Sequence, residues 1–239
     1  MSMIPQLASD ERGFTIAELL VATVVSLLVI GGAVSVTSQV QNGYRRQMEE
    51  VAAEQEGRYA LDWVSKLIRS AGNNPYAIVT GDCPAAGTPF TGLLADPNGD
   101  NVHNDIRLQT DSNPPDRLLG GALNDCTQPN EDVTVSYDAV TQSITFLDNN
   151  LGGAATVRTE PVVTNLEFIY RDGTHTLVDP AAAANACLAM VPAQPPTCWY
   201  AQVMYVETRV TVRPRAIGNQ GGPLTRVLSQ EVRIKGRNY

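Results

Sequence analysis

The longest hydrophobic stretch of the chain lies close to its N-terminus. It runs from Phe14 to Val36 and contains one charged residue, Glu18. A helix of about 23 apolar residues is long enough to cross the roughly 30 Å hydrocarbon layer of a membrane. A short polar segment, residues 1–13, precedes it. The pattern predicts a transmembrane helix over residues 14–36.

Helical periodicity continues beyond this stretch. Residues 37–71 contain no proline, and apolar residues recur there at intervals of three and four: Val40, Tyr44, Met48, Val51, Ala60, Val64, Leu67, Ile68 and Ala71. The sequence AGNNP at residues 71–75 is a typical helix stop. We therefore expect residues 37–74 to hold the amphipathic half of one long helix, Phe14 to Ala71. A break at Gly31–Gly32 is the alternative.

After Pro75 the apolar residues recur with a period of two, which indicates strands. The predicted strands are Asn104–Thr110, a hairpin around residues 133–146, a strand around residues 166–170, Tyr200–Val212 and Leu224–Ile234. The segment Ala181–Ala184 is expected to lie inside a loop. This order predicts an α+β protein, in which a long N-terminal helix packs on an antiparallel β-sheet head, residues 75–239, with long loops.

Composition and charge exclude several classes of protein. Of the 239 residues, 43% are hydrophobic and 18% are charged, which excludes a disordered polyelectrolyte and a coiled coil. The net charge of −8 is concentrated in residues 75–150, which hold two basic and eleven acidic residues. A nucleic-acid binder normally has a concentrated basic face. Nucleic acid is therefore not the expected partner, although the more basic residues 151–239 permit a modest anionic contact.

The cysteines indicate an oxidising compartment. Cys83, Cys126, Cys187 and Cys198 form no CxxC motif, and with two histidines in the chain their spacing does not supply a tetrahedral zinc site. An even number of cysteines in a turn-rich region favours disulfides. Three pairings are possible. We favour Cys187–Cys198, which closes a short proline-rich loop, together with Cys83–Cys126; buried free thiols are the alternative.

Glu18 needs an explanation, because a carboxylate inside a membrane helix costs about 2.5–3.5 kcal/mol. Gly13 lies directly before the apolar run, and cleavage after it would give Phe14 a new α-amine, which is cationic near neutral pH. Glu18 follows four residues later, about one helical turn away. The amine could neutralise Glu18 of the same chain or of a neighbouring chain. A carboxyl group near the membrane interface is the simpler alternative.

The sequence GFTIAE at residues 13–18, followed by the apolar run, resembles the prepilin signature of type IV pilins and type II secretion pseudopilins. The resemblance implies that a prepilin peptidase cuts between Gly13 and Phe14 and removes residues 1–13 as a leader peptide. It also implies N-methylation of Phe14 and a role for Glu18 in subunit docking. The fold that it implies is type IV pilin-like.

A second segment restricts the resemblance to a smaller group of pilin-like proteins. It covers residues 56–72 and has the sequence EGRYALDWVSKLIRSAG. It is similar to a run in PilW-like minor pilins and in the J-type minor pseudopilins of type II secretion. Arg58 and Arg69 are equally interpretable as solvated helix charges and Tyr59 as a core residue. No functional site is therefore assigned to this run.

One candidate metal site lies in the acidic middle of the chain. Asp96, Asn98 and Asp100 have the D-x-N-x-D spacing with which many calcium loops begin. An EF-hand would next require a glycine and a glutamate, and this chain has Asn101 and Arg107 there. A site of another kind could include nearby oxygen ligands, namely Asp105, Asp111, Asn113 and Asp116. Asx turns in a solvated loop are the simpler interpretation. Calcium is the one cofactor considered, and otherwise none is expected.

Sequence motifs of common enzymes are missing: there is no G-x-S-x-G, no Walker A loop and no HExxH. His175 follows Arg171-Asp172-Gly173-Thr174 in a segment typical of a turn. We expect the chain not to be an enzyme, and a membrane-anchored periplasmic enzyme is the least favoured alternative.

These features together predict a minor pilin that primes or caps the assembly of a type IV pilus. Its expected partners are other minor and major pilins, the prepilin peptidase and the inner-membrane assembly platform. Its expected location is the inner membrane, with one span and the head in the periplasm, and then the pilus at the cell surface. The alternatives are a J-type pseudopilin of type II secretion and a tip adhesin or DNA-uptake pilin.

Overall fold

The computed structural model describes residues 14–76, 78, 80–81, 88–112, 118–119, 128–190, 192, 198–215 and 225–234. The chain divides into two compact units, Met1–Met48 and Glu49–Tyr239. The first helix, α1, covers Ile16–Ser70. It is helical through Gly31 and Gly32, so the long helix is confirmed and the alternative of a break there is wrong. Gly72, with a φ of +74°, follows its last turn as a left-handed cap.

In the second unit, five strands form an antiparallel meander in which each strand pairs with the next. They are β3 (Leu93–Ala95), β4 (Asp105–Gln109), β5 (Asp132–Asp138), β6 (Ser143–Asp148) and β7 (Thr156–Val157). A separate pair, β1 (Thr80–Gly81) and β2 (Thr88–Pro89), precedes them. The strand predicted at Asn104–Thr110 and the hairpin predicted around residues 133–146 are therefore confirmed.

A four-stranded antiparallel sheet follows, in the order β11-β10-β8-β9. Its strands are β8 (Val163–Arg171), β9 (Leu177–Val178), β10 (Tyr205–Val212) and β11 (Arg226–Arg233). Alternate residues of β10 are buried, as the period of two predicted. The predicted run Tyr200–Val212 begins too early, because Cys198–Gln202 forms a 3-10 helix in which Trp199 and Tyr200 are buried.

The C-terminal part of α1 contributes one face to the hydrophobic core of the second unit. The buried residues of α1 recur at helical spacing, and they are Ala53, Gly57, Ala60, Leu61, Val64, Ser65 and Ile68. Gly57 permits close contact with the second sheet, since a Cβ there would lie 2.6 Å from Leu228 Cδ1 and 3.0 Å from Val212 Cγ1. Tyr59, by contrast, is 53% exposed, so its interpretation as a core residue is wrong.

A second helix, α2, covers Pro180–Leu188, so the loop predicted around Ala181–Ala184 is wrong. Asp179 is its N-cap, and one carboxylate oxygen accepts the N–H groups of Ala181 and Ala182. Pro180 occupies the first helical position, where its missing N–H carries no cost. Alanine has the highest helix propensity, so the short run becomes helical behind this cap.

Cys187, which is buried in α2, forms a disulfide with Cys198. The two Cα atoms are 5.8 Å apart, and eleven positions separate the residues in sequence. The predicted Cys187–Cys198 pair is confirmed. Cys83 and Cys126 lie outside the described residues, and their pairing stays a prediction.

Candidate functional site

The N-terminus of α1 is closed by two residues that cap each other. The backbone N–H of Thr15 donates to Glu18 Oε2 at 2.9 Å, and the Thr15 hydroxyl donates to the same oxygen at 3.0 Å. In return, the backbone N–H of Glu18 donates to Thr15 Oγ1 at 3.3 Å. This reciprocal arrangement is a capping box, which satisfies backbone donors that the first helical turn leaves without partners.

The T-x-x-E pattern of a capping box is present at residues 15–18, and this pattern is the signal in the sequence that identifies Thr15. Glu18 stands out in the sequence for a different reason, namely its charge within an apolar run. The structure therefore adds Thr15 to the candidate site. It also gives Glu18 a local structural role in helix capping. A test of docking therefore has to distinguish the loss of this cap from the loss of the Glu18 charge.

Phe14 precedes the helix and is 87% exposed, whereas Gly13 lies outside the described residues. The predicted cleavage between the two stays a prediction.

The helix that begins at this site carries a long exposed apolar surface. Among the described residues, α1 is the one helix that is long and apolar enough to cross a membrane, and none of its most apolar window is buried. The exposed side chains include Ile16, Leu19, Leu20, Val21, Val24, Val25, Leu27, Leu28, Val29, Ile30, Val34 and Val36. Water is a poor solvent for such a surface, so the helix is compatible with a single membrane anchor.

Glu18 lies on a helix face with small neighbours. Ala22 and Ser26 follow it at intervals of four residues, and the three line a shallow groove with Ala17, Val21 and Val25. Small side chains on one face allow a second helix to approach closely in a membrane. The carboxylate therefore borders a surface suited to helix packing.

The three candidate metal ligands lie in a loop before β4 and make local hydrogen bonds. The carboxylate of Asp96 accepts the N–H groups of Gly99, Asp100 and Asn101 at 2.8–3.1 Å. Asn98 Oδ1 accepts the N–H of Asp100, and Asp100 Oδ1 accepts the N–H of Val102. These are Asx turns, the simpler of the two sequence interpretations.

Asp105, at the start of β4, faces this loop from a buried position. It is 2% exposed, and its Oδ2 accepts the N–H of Asn98 at 3.3 Å. Burial, and then the charges of Asp96 and Asp100, raise the pKa of Asp105 to about 6. Within the described ranges, no group of three or more His, Cys, Asp or Glu side chains is placed to hold a metal ion. Calcium at this loop thus stays a prediction.

His175 lies in the turn between β8 and β9, as its sequence context predicted. Its Nδ1 is 3.1 Å from Glu231, and its ring stacks on Tyr205 with centroids 4.1 Å apart. Glu231 also pairs with Arg171 at 3.2 Å. The histidine therefore lies beside the ion pair of Arg171 and Glu231.

Comparison of the chain with protein-family models, with curated proteins and with solved structures gave no match.

Proposed function

We propose that this chain is a minor pilin of the PilW-like type, which primes or caps the assembly of a type IV pilus. The observation that carries the proposal is the coincidence of the GFTIAE sequence with the start of a long, exposed apolar helix. The α+β architecture, with one long helix and antiparallel sheets, supports it. The disulfide between Cys187 and Cys198 supports a head that folds in the oxidising periplasm.

The proposed mechanism is assembly by helix packing. Prepilin peptidase cuts between Gly13 and Phe14, and the new α-amine, methylated in the mature protein, remains cationic near neutral pH. In the inner membrane, the amine of one subunit meets Glu18 of the next, which removes the cost of an unpaired carboxylate in lipid. A buried ion pair of this kind fixes the register between subunits more than it adds stability.

The capping box is compatible with this second role of Glu18. A carboxylate has about four lone-pair sites, and both hydrogen bonds from Thr15 use Oε2. Within the part of the chain that the structure describes, Oε1 has no hydrogen bond and is open to a second chain. Glu18 can therefore close its own helix and contact a neighbouring amine.

Two substitutions separate the docking charge from the cap. Glu18→Gln removes the charge but keeps an acceptor that capping boxes also use, whereas Thr15→Ala breaks the cap and keeps the charge. We expect both variants to be processed to the mature length. We expect Glu18→Gln to lower incorporation into sheared pili by at least about tenfold, a coupling of about 1.4 kcal/mol, and Thr15→Ala to lower it much less.

The measurement is the ratio of pilus-bound to membrane-bound subunit on immunoblots, with processing read from the band size. If Glu18→Gln is incorporated into pili as well as the wild type, the charge of Glu18 is not needed for docking and this part of the proposal is wrong. Equal losses in the two variants would assign Glu18 to helix capping alone.

A further inference from the structure

Asp105 is an unusual carboxyl group, because it is buried and only partly hydrogen bonded. One oxygen, Oδ2, contacts the N–H of Asn98, which places the group against the Asp96–Asp100 loop. The other oxygen, Oδ1, has no hydrogen-bond partner among the described residues, although Asp105 is only 2% exposed. Buried polar atoms nearly always have a partner, so this oxygen points to a ligand.

The surroundings of Asp105 are also short of positive charge. Asp96 and Asp100 lie close enough for their charges to act on it, and none of the ion pairs between described residues includes any of the three carboxylates. The hydroxyl of Tyr170 is a second buried polar atom without a hydrogen-bond partner among the described residues. Burial, and then the charge of Asp105, raises the pKa of Tyr170. Burial of a carboxylate beside two others is costly unless a cation compensates it.

We propose that a Ca²⁺ ion binds between Asp105 Oδ1 and the loop oxygens of Asp96, Asn98 and Asp100. These are hard oxygen donors, and Ca²⁺ accepts carboxylate, amide and backbone carbonyl oxygens in an irregular arrangement. Mg²⁺ demands a stricter octahedral geometry and keeps more of its water. The Asx turns leave lone pairs free, since Asp96 uses three of about four sites.

The described carboxylates are not already gathered into a group of three. Binding therefore relies on Asn98 and backbone carbonyls as well, and it draws the loop onto Asp105. A site that has to close in this way is weak, and we expect a dissociation constant of about 10⁻⁴–10⁻³ M, the range of extracellular calcium modules. The ion would order the loop between β3 and β4.

The test uses the full chain in detergent, freed of metal with EDTA. Calcium chloride is titrated by isothermal calorimetry, and the Tm is measured with and without about 5 mM Ca²⁺ or Mg²⁺. We expect a Tm increase of about 2–4 °C with Ca²⁺ and a smaller one with Mg²⁺. Asp105→Asn and Asp100→Asn should each weaken Ca²⁺ binding by at least about tenfold.

Asp138→Asn is the matched control, because Asp138 makes the same kind of turn, to Val140 and Thr141, between β5 and β6. Its Ca²⁺ response should equal that of the wild type. Asp100→Asn changes an exposed loop residue and keeps the test valid if Asp105→Asn folds poorly. No heat and no Tm change with Ca²⁺ in the wild type would overturn the proposal, as would an unchanged Ca²⁺ response in both Asp100→Asn and Asp105→Asn.

Discussion

Two glycines bring backbone segments into contact at the C-terminal end of α1. A Cβ on Gly92 would lie 2.7 Å from the Cα of Gly72. The N–H of Gly72 donates to the carbonyl of Gln109 at 2.8 Å, and the N–H of Gln109 donates to the carbonyl of Gly92 at 3.0 Å. The end of the helix is thereby tied to the end of β4. Both glycines have a positive φ, which other residues adopt at a cost.

Gly92→Ala should lower the free energy of unfolding by about 2 kcal/mol or more. The left-handed backbone alone costs about 1–2 kcal/mol for an L-residue, and the methyl group adds a clash with backbone that no rotamer can relieve. Urea unfolding of the detergent-solubilised chain, followed by tryptophan fluorescence, measures the change.

Gly152→Ala is the control, because Gly152 has a φ of +68° and no described residue has an atom within 4 Å of its added Cβ. It isolates the backbone cost of about 1–2 kcal/mol. Equal losses in the two variants would mean that the Gly72–Gly92 contact contributes nothing.

At the scale of single residues, the sequence predicts which side chains have unusual chemistry better than it predicts which residues are in contact. Glu18 stands out because it is charged in an apolar run, but the contact between Gly72 and Gly92 joins segments twenty positions apart and leaves no local pattern. Asp105 is similar: the sequence identifies it as one of several nearby acidic residues, but its burial follows from the pairing of β4 with β5.

At the scale of elements, a buried polar network joins strands β4 and β5. Arg107 donates two hydrogen bonds to Asp132, at 2.7 and 2.6 Å, and the Asp132 side chain is 1% exposed. Gln109 and Asn149 also donate to this carboxylate. The pairing raises the pKa of Arg107, because the carboxylate favours the charged guanidinium.

Arg107→Met should destabilise the head by about 3 kcal/mol, since it leaves a buried carboxylate without its cation. The double variant Arg107→Met with Asp132→Asn should recover part of that loss. Chemical denaturation provides both values.

The exposed pair of Arg58 and Glu54 supplies the comparison, because the Arg58 side chain is 70% exposed. Arg58→Met should change stability by less than about 1 kcal/mol. A loss below 1 kcal/mol for Arg107→Met would contradict the structural importance of the buried pair.

The sequence predicts an element well where its apolar pattern is long. The period of two identifies β8 and β10 because each buries alternate residues on one face, and the three-to-four spacing identifies α1. The short helix α2 escapes prediction because its signal is a cap and a run of alanines instead of a periodic pattern. The strand predicted from Tyr200 begins too early because the alternation does not show where it starts, and Tyr200 lies in the 3-10 helix that follows the disulfide at Cys198.

For the whole molecule, the oxidation state can be read from its mass. Two disulfides would make the purified chain about 4 Da lighter than its reduced form, since each bridge removes two hydrogens. We expect that difference in intact mass spectrometry. A difference of about 2 Da would leave Cys187–Cys198 as the single bridge and make the Cys83–Cys126 prediction wrong.

A clean deletion of the gene distinguishes a type IV pilus from a type II secretion system as the assembly in which the chain works. We expect loss of surface pili in electron micrographs, with secreted proteins unchanged in mass spectrometry, because a priming subunit is needed before the filament grows. Complementation by the wild-type gene is the control. Intact pili with cargo retained in the periplasm would instead assign the chain to the J-type pseudopilins of type II secretion.

The capping box at Thr15 and Glu18 also affects the entropy of assembly. A free glutamate side chain loses about 1.5–2 kcal/mol of rotamer freedom when a partner immobilises it. In α1 the hydrogen bonds to Thr15 already hold this side chain in one orientation. Under the proposed function, an arriving subunit meets a preorganised carboxylate, so more of the interaction energy remains for docking itself.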